Sequence, residues 1–155
     1  MKQEIELKVN GETHKLWIKA RRTLLEVLRE ELQLTGTKDG CNKEDCGFCT
    51  VIIDGKPILS CSTLAIEAQG REITTIEGVS EDGGRTLHPI QQAFVDEGAT
   101  QCGFCTPGMI MSAKALLDAN PNPTVEEIKE GISGNLCRCT GYITVVNAIQ
   151  AAAGK

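Results

Sequence analysis

Eight cysteines stand in a chain of 155 residues, and they fall into two groups of four: Cys41, Cys46, Cys49 and Cys61, then Cys102, Cys105, Cys137 and Cys139. The first group reads C-x4-C-x2-C-x11-C and the second C-x2-C-x31-C-x1-C, with forty residues between them. Cys137 and Cys139 have only Arg138 between them, and a disulfide closing so small a ring would be strained. Their partners are therefore expected elsewhere, and each group of four has the makings of a complete tetrathiolate.

The rest of the composition favours metal over disulfides. The N-terminal Met1-Lys-Gln-Glu-Ile-Glu-Leu-Lys8 has no apolar h-region, no run of eighteen apolar residues occurs, and Arg21-Arg22 precedes a capped helix rather than an export signal. The expected location is cytoplasmic, without membrane insertion, where thiols stay reduced and clustered cysteines bind metal. One Trp, one Tyr and three Phe leave the core to Leu, Ile and Val, and small cores of that kind need a staple such as a metal. The formal charge is −5 and the lysines and arginines form no stripe, which argues against a nucleic-acid partner.

Two hydrophobic periods divide the chain. Ile5, Leu7 and Val9 alternate with polar residues, Asn10-Gly11 turns the chain, and Leu16 and Ile18 resume the alternation, as in a β-hairpin. Thr23 and Glu26 form a capping box ahead of Leu25, Leu28 and Leu32, which lie on one face of a helix. Residues 35–49 read as a glycine-rich loop carrying three thiols, Thr50–Ile53 and Ile58–Cys61 as a second hairpin around Asp54-Gly55, and Ile73–Ile76 as a short strand.

After a glycine-rich and acidic linker the period becomes helical. Ile90 and Phe94 start one helix, Thr106-Pro107 caps a second, Thr124 and Glu127 box a third, and Tyr142, Val146 and Ile149 lie on a fourth. The fold class is α+β, with domains at 1–78 and 89–155 joined by a linker at 79–88. Cys102-Gly-Phe-Cys105 and Cys137-Arg-Cys139 each precede a helix, so two helix-entry loops set side by side supply four sulfurs to one centre.

The spacing also bears on which metal. A C-x2-C pair is a common half of a zinc site, and zinc is the competing reading for the second group. The C-x4-C-x2-C run of the first is plant-type spacing for a 2Fe-2S cluster, although its fourth cysteine follows much sooner than in plant ferredoxins. His14 and His88, the only histidines, stand outside any C-x-H pattern and read as surface or turn residues. There is no G-x-G-x-x-G or Walker sequence. Met109 and Met111 read as packing residues, and Glu126, Glu127 and Glu130 as a solvated face. No catalytic constellation is evident.

In this order, the cysteines together with Gln101-Cys-Gly-Phe-Cys-Thr-Pro-Gly108 and Gly134-Asn-Leu-Cys-Arg-Cys-Thr-Gly-Tyr142 resemble the small iron-sulfur subunit of the molybdenum hydroxylases, the xanthine dehydrogenase and aldehyde oxidoreductase family. The resemblance spans nearly the whole chain. It implies an N-terminal β-grasp, plant-ferredoxin-like domain and a C-terminal four-helix-bundle domain, each with one 2Fe-2S cluster held by its own four cysteines. It also implies a large molybdopterin-binding partner, an FAD-binding medium subunit, and assembly as a heterotrimer or a dimer of heterotrimers.

In that family electrons leave the molybdenum centre and pass through the helical-domain cluster, then the ferredoxin-domain cluster, to a flavin. By position Gln101 and Cys139 match residues that lie against the pterin cofactor. The substrate of such a complex is an aromatic, N-heterocyclic, aldehyde or aryl-CoA compound, and no turnover is expected from this chain alone. A stand-alone ferredoxin and a zinc-stabilised interaction module are the alternatives. Two departures from the family pattern stand in the first loop, where Glu44 takes the place of a glycine and Phe48 that of a small residue.

Overall fold

A computed structural model describes residues 2–80 and 82–154. Strands β1 (Lys2–Val9) and β2 (Glu12–Lys19) form the first hairpin, pairing antiparallel from Lys2 with Lys19 to Val9 with Glu12. Asn10 and Gly11 both have positive φ, the condition for the tight turn that the Asn-Gly pair satisfies at least cost. Strands β3 (Thr50–Ile53), β4 (Lys56–Leu59) and β5 (Glu72–Thr74) complete a mixed five-stranded sheet in the order β2-β1-β5-β3-β4. β1 and β5 run parallel, and the other neighbours antiparallel.

The alternation in β1 buries Ile5, Leu7 and Val9 on one face, and the segment after β2 covers that face with Leu24, Val27 and Leu28. Here the structure departs from the regular helix expected. Only Leu24–Glu26 (α1) is α-helical; Val27–Glu31 widens into a π-turn, with Leu32 N–H donating to the Val27 carbonyl five residues back. The wider turn brings Val27 into the core beside Leu28 and leaves Leu32 only partly buried. Thr23 caps the segment as expected, its hydroxyl accepting from Glu26 N–H while Glu26 accepts from Thr23 N–H.

Four helices follow: α2 (Pro89–Asp96), α3 (Thr106–Ala119), α4 (Val125–Gly131) and α5 (Ile143–Ala152). Phe94, Met109, Met111, Ile128, Val145 and Ile149 build their shared core. That core also takes in Ile52 of β3 and Val79, so the helical half is packed onto the sheet rather than tethered beside it. Met109 and Met111 are fully buried packing residues, as their sequence setting suggests. The cap of α3 is Cys105 rather than Thr106, which lies inside the helix. His88, read as a surface or turn residue, caps α2 through Nδ1, which accepts from Ile90 N–H at 3.3 Å.

Thr124→Ala should lower stability to urea by about 1 kcal/mol, because it removes the oxygen that accepts Glu127 N–H at the start of α4. The reciprocal Thr124 N–H to the Glu127 carboxylate, reinforced by the Thr124 hydroxyl, holds the Glu127 pKa below its ordinary value. A lowered folded-state pKa gives stabilisation that is complete above the unfolded value and is lost as pH falls through the folded one. Unfolding titrations should therefore show an acid-side loss in the wild type that Glu127→Gln reduces.

Candidate metal centres

The loop 35–49 crosses between the covering segment and β3, and Arg29 fastens its start by donating to the Thr35 and Thr37 carbonyls at 2.9 and 2.8 Å. The following stretch is bent tightly, with Asn42, Glu44 and Gly47 all at positive φ. Glu44 at φ 64° occupies a conformation that suits glycine, at a cost of order 1 kcal/mol or more. The glycine expected there from the family pattern thus has a backbone reason, and this chain tolerates a carboxylate in its place.

This folding gathers the first four cysteines. Cys41 interacts with Cys46, Cys46 with Cys49, and Cys49 with Cys61. Cys46 and Cys49 are buried and Cys41 and Cys61 partly so. Gly40 explains the density of packing: a Cβ there would lie 2.3 Å from the Phe48 ring and 3.1 Å from Cys46 Sγ. Burial pushes the Cys49 thiol up to about 12, with Cys61 beside it, whereas the Lys43 N–H at 3.4 Å and the Cys46 thiol bring Cys41 down to about 7. The hydroxyl oxygen of Thr37, buried at the head of this loop, has no hydrogen-bond partner among the described residues.

The second four come from the entries to α3 and α5. Cys102 and Cys139 are exposed with their sulfurs 3.6 Å apart, while Cys105 is buried and interacts with Cys137 and Cys102. Burial first, then the Cys137 thiol, pushes Cys105 up to about 12. Burial also acts upward on Cys137, but hydrogen bonds from Thr140 outweigh it and the net direction is down. Gln101, in the same loop as Cys102, is exposed.

Two loops, one from each half, lock these groups together. A Cβ on Gly108 would lie 2.3 Å from the Gly47 carbonyl oxygen, and one on Gly47 would lie 2.3 Å from the Gly134 oxygen, so backbones touch where side chains would separate them. Asn135, 3% exposed, donates to the Gly47 carbonyl at 2.8 Å, and Leu136 N–H donates to the Cys46 carbonyl at 2.9 Å. Phe48 and Phe104, each between two cysteines of its own group, meet edge to face at 5.3 Å.

The donor chemistry fits 2Fe-2S clusters. A tetrahedral metal with sulfur at about 2.3 Å spaces two thiolates about 3.8 Å apart, close to the separation of Cys102 and Cys139. Among the described residues, no group of three or more His, Cys, Asp or Glu side chains stands close enough to hold a metal ion. Each thiol is influenced most by one other of its group, Cys41 by Cys46, Cys49 by Cys61, Cys105 by Cys137 and Cys139 by Cys102 at 3.6 Å, and more weakly across these pairs. Two irons that each bind two protein thiolates call for that pairing. The thiols that burial keeps protonated would release protons on binding.

Residues 7–75 match the 2Fe-2S iron-sulfur cluster binding domain family and residues 75–150 the [2Fe-2S] binding domain family. The chain is 51% identical to the nicotinate dehydrogenase small FeS subunit of Eubacterium barkeri over 94% of its length and 92% of that protein's. It belongs to the iron-sulfur subunits of the molybdenum hydroxylases. The subunit superposes on quinoline 2-oxidoreductase from Pseudomonas putida 86 with a TM-score of 0.93 at 45% identity, covering 98% of this chain and 94% of that one. It also superposes on aldehyde oxidoreductase from Desulfovibrio gigas with a TM-score of 0.92 at 45% identity, covering 97% of this chain and 17% of that longer one. Such subunits serve oxidoreductase complexes as carriers of electrons.

Gly108→Ala should destabilise the subunit by roughly 1–3 kcal/mol in thermal or urea unfolding, the usual cost of an added methyl group where packing leaves no room. The far-UV spectrum should stay native, because the clash lies between the halves rather than within α3.

Proposed function

We propose that the subunit carries electrons between a pterin-bearing partner at its helical end and a flavin-bearing partner at its sheet end. Cys41, Cys46, Cys49 and Cys61 hold one 2Fe-2S cluster, and Cys102, Cys105, Cys137 and Cys139 hold the other. When bound, each cluster supplies a one-electron centre whose total charge moves between about −2 and about −3. The observation that carries this reading is the pairing of eight thiols into two sets whose loops interlock at Gly47, Gly108 and Asn135.

The fold is a β-grasp, ferredoxin-like domain at 1–78, a linker at 79–88 and a four-helix bundle at 89–155. The chain contributes three things: thiolate donors, fixed separation between the two sets, and exclusion of water from Cys46, Cys49 and Cys105. At the other extreme Cys102 and Cys139 are open to solvent, with exposed Phe104, Leu136 and Ile143 near them in sequence. That exposure supports a partner covering the second set, with Gln101 and Cys139 toward its pterin. The assembly is a heterotrimer with a molybdopterin subunit and an FAD subunit, or a dimer of such trimers, working in the cytoplasm. Among the described residues no helix is long and apolar enough to cross a membrane.

The named relatives act on nicotinate, quinoline and aldehydes, and the substrate class proposed for this complex is an N-heterocycle or an aldehyde. Substrate choice then belongs to the pterin partner.

Cys105→Ser in the assembled complex should remove one of two EPR signals from dithionite-reduced protein and about two of four irons, leaving the other signal intact. Loss of both signals from a chain that is still folded would contradict separate four-cysteine sites.

A further inference from the structure

Cys137 lies in an environment unlike that of the other seven cysteines. Thr140 Oγ1 is 3.1 Å from Cys137 Sγ, and Thr140 N–H is 3.5 Å from the same sulfur. Among the described residues Thr140 supplies the one hydroxyl within hydrogen-bond distance of any cysteine sulfur. Either atom could donate in the free thiol, and ligation of the sulfur fixes the direction. Tyr142 N–H donates to Thr140 Oγ1 at 3.2 Å, so the oxygen is already an acceptor and its own hydrogen is free to point at sulfur. A thiolate that ligates iron has no hydrogen to give, which leaves Thr140 as donor.

The backbone pays strain to keep this arrangement. Gly141 and Tyr142 are both left-handed, at φ 64° and 68°. For glycine that is cheap, but for a bulky aromatic residue it is an outlier costing of order 1 kcal/mol or more. In return the chain folds back so that the Tyr142 phenol oxygen accepts Cys137 N–H at 2.8 Å, while Tyr142 N–H fixes the Thr140 hydroxyl. Local strain is thus spent on bracing one ligand loop.

From this geometry we infer that Thr140, braced by Tyr142, is a positioning residue that sets the reduction potential of the cluster on the second cysteine group by donating a hydrogen bond to the Cys137 thiolate. The inference rests on that group's holding a 2Fe-2S cluster. Reduction adds negative charge to the cluster and its sulfurs, so a donor aimed at a ligating sulfur stabilises the reduced form more than the oxidised one. Removing the donor therefore lowers the potential. Thr140 contacts a sulfur of the second group, while the first group's sulfurs take backbone donors such as the Lys43 N–H on Cys41, so the change is confined to one centre.

The test is an EPR-monitored redox titration of the assembled complex carrying Thr140→Val, Thr140→Ala or Thr140→Ser, with iron and sulfide assayed in each. The Val and Ala variants should keep both signals and the full iron content. Their second-group signal should half-reduce at a more negative potential than in the wild type, with the first-group signal unmoved and Ser titrating like Thr. An unmoved second potential in Val and Ala, an equal shift of both clusters, or a Ser variant displaced as far as Val would each overturn the inference while leaving the cluster assignment standing. So would loss of the second signal in both Val and Ala with Ser normal, because that shows a role in retaining the cluster. A wild type with no second 2Fe-2S signal would overturn the assignment itself and the inference with it.

Discussion

The close backbone approach of Gly47 to Gly108 and Gly134 is the constraint on which the rest of the molecule turns. It allows the Asn135 amide to reach a buried carbonyl of the first cysteine loop and the Leu136 N–H to reach the Cys46 carbonyl. Two loops that would each be polar and irregular alone thereby satisfy one another's backbone groups away from water. The edge-to-face Phe48 and Phe104 pair and the insertion of Ile52 into the helical core extend the contact on either side. Electron transfer between two sites needs a fixed separation, and this interface supplies it without a third element.

The two cysteine groups differ in their relation to solvent. Cys46 and Cys49 of the first cysteine loop are buried, whereas Cys102 and Cys139 are exposed. Desolvation opposes added negative charge, while nearby N–H and O–H donors favour it. The first site relies on a tightly bent backbone with Glu44 held left-handed, and the second on the Thr140 and Tyr142 brace. Phe104 and Ile143, near the second cysteine group in sequence, are apolar and exposed, at 44% and 71%.

Much of this was legible in the residues. Period-two alternation and Asn10-Gly11 marked the first hairpin, Asp54-Gly55 the second, and capping boxes at Thr23 and Thr124 the starts of two helical segments. What periodicity missed has physical causes. A π-turn at Val27–Glu31 leaves the helical repeat, so Val27 joins Leu28 in the buried core and Leu32 packs only partly buried against it. The roles of Asn135, Thr140 and Tyr142 depend on contacts that no local propensity encodes. Asn135 meets a carbonyl 88 positions away. Gly47 read as a loop glycine, and its close approach to Gly108 of α3 emerges only when the two halves are packed.

The most direct test of the two-centre account is a joint assay of iron, acid-labile sulfide and zinc on anaerobically purified protein, read beside the EPR spectrum after dithionite reduction. The account predicts about four irons and four sulfides per chain with two distinct 2Fe-2S signals. Zinc without sulfide in fully matured protein would contradict it and leave the eight thiols as a structural staple.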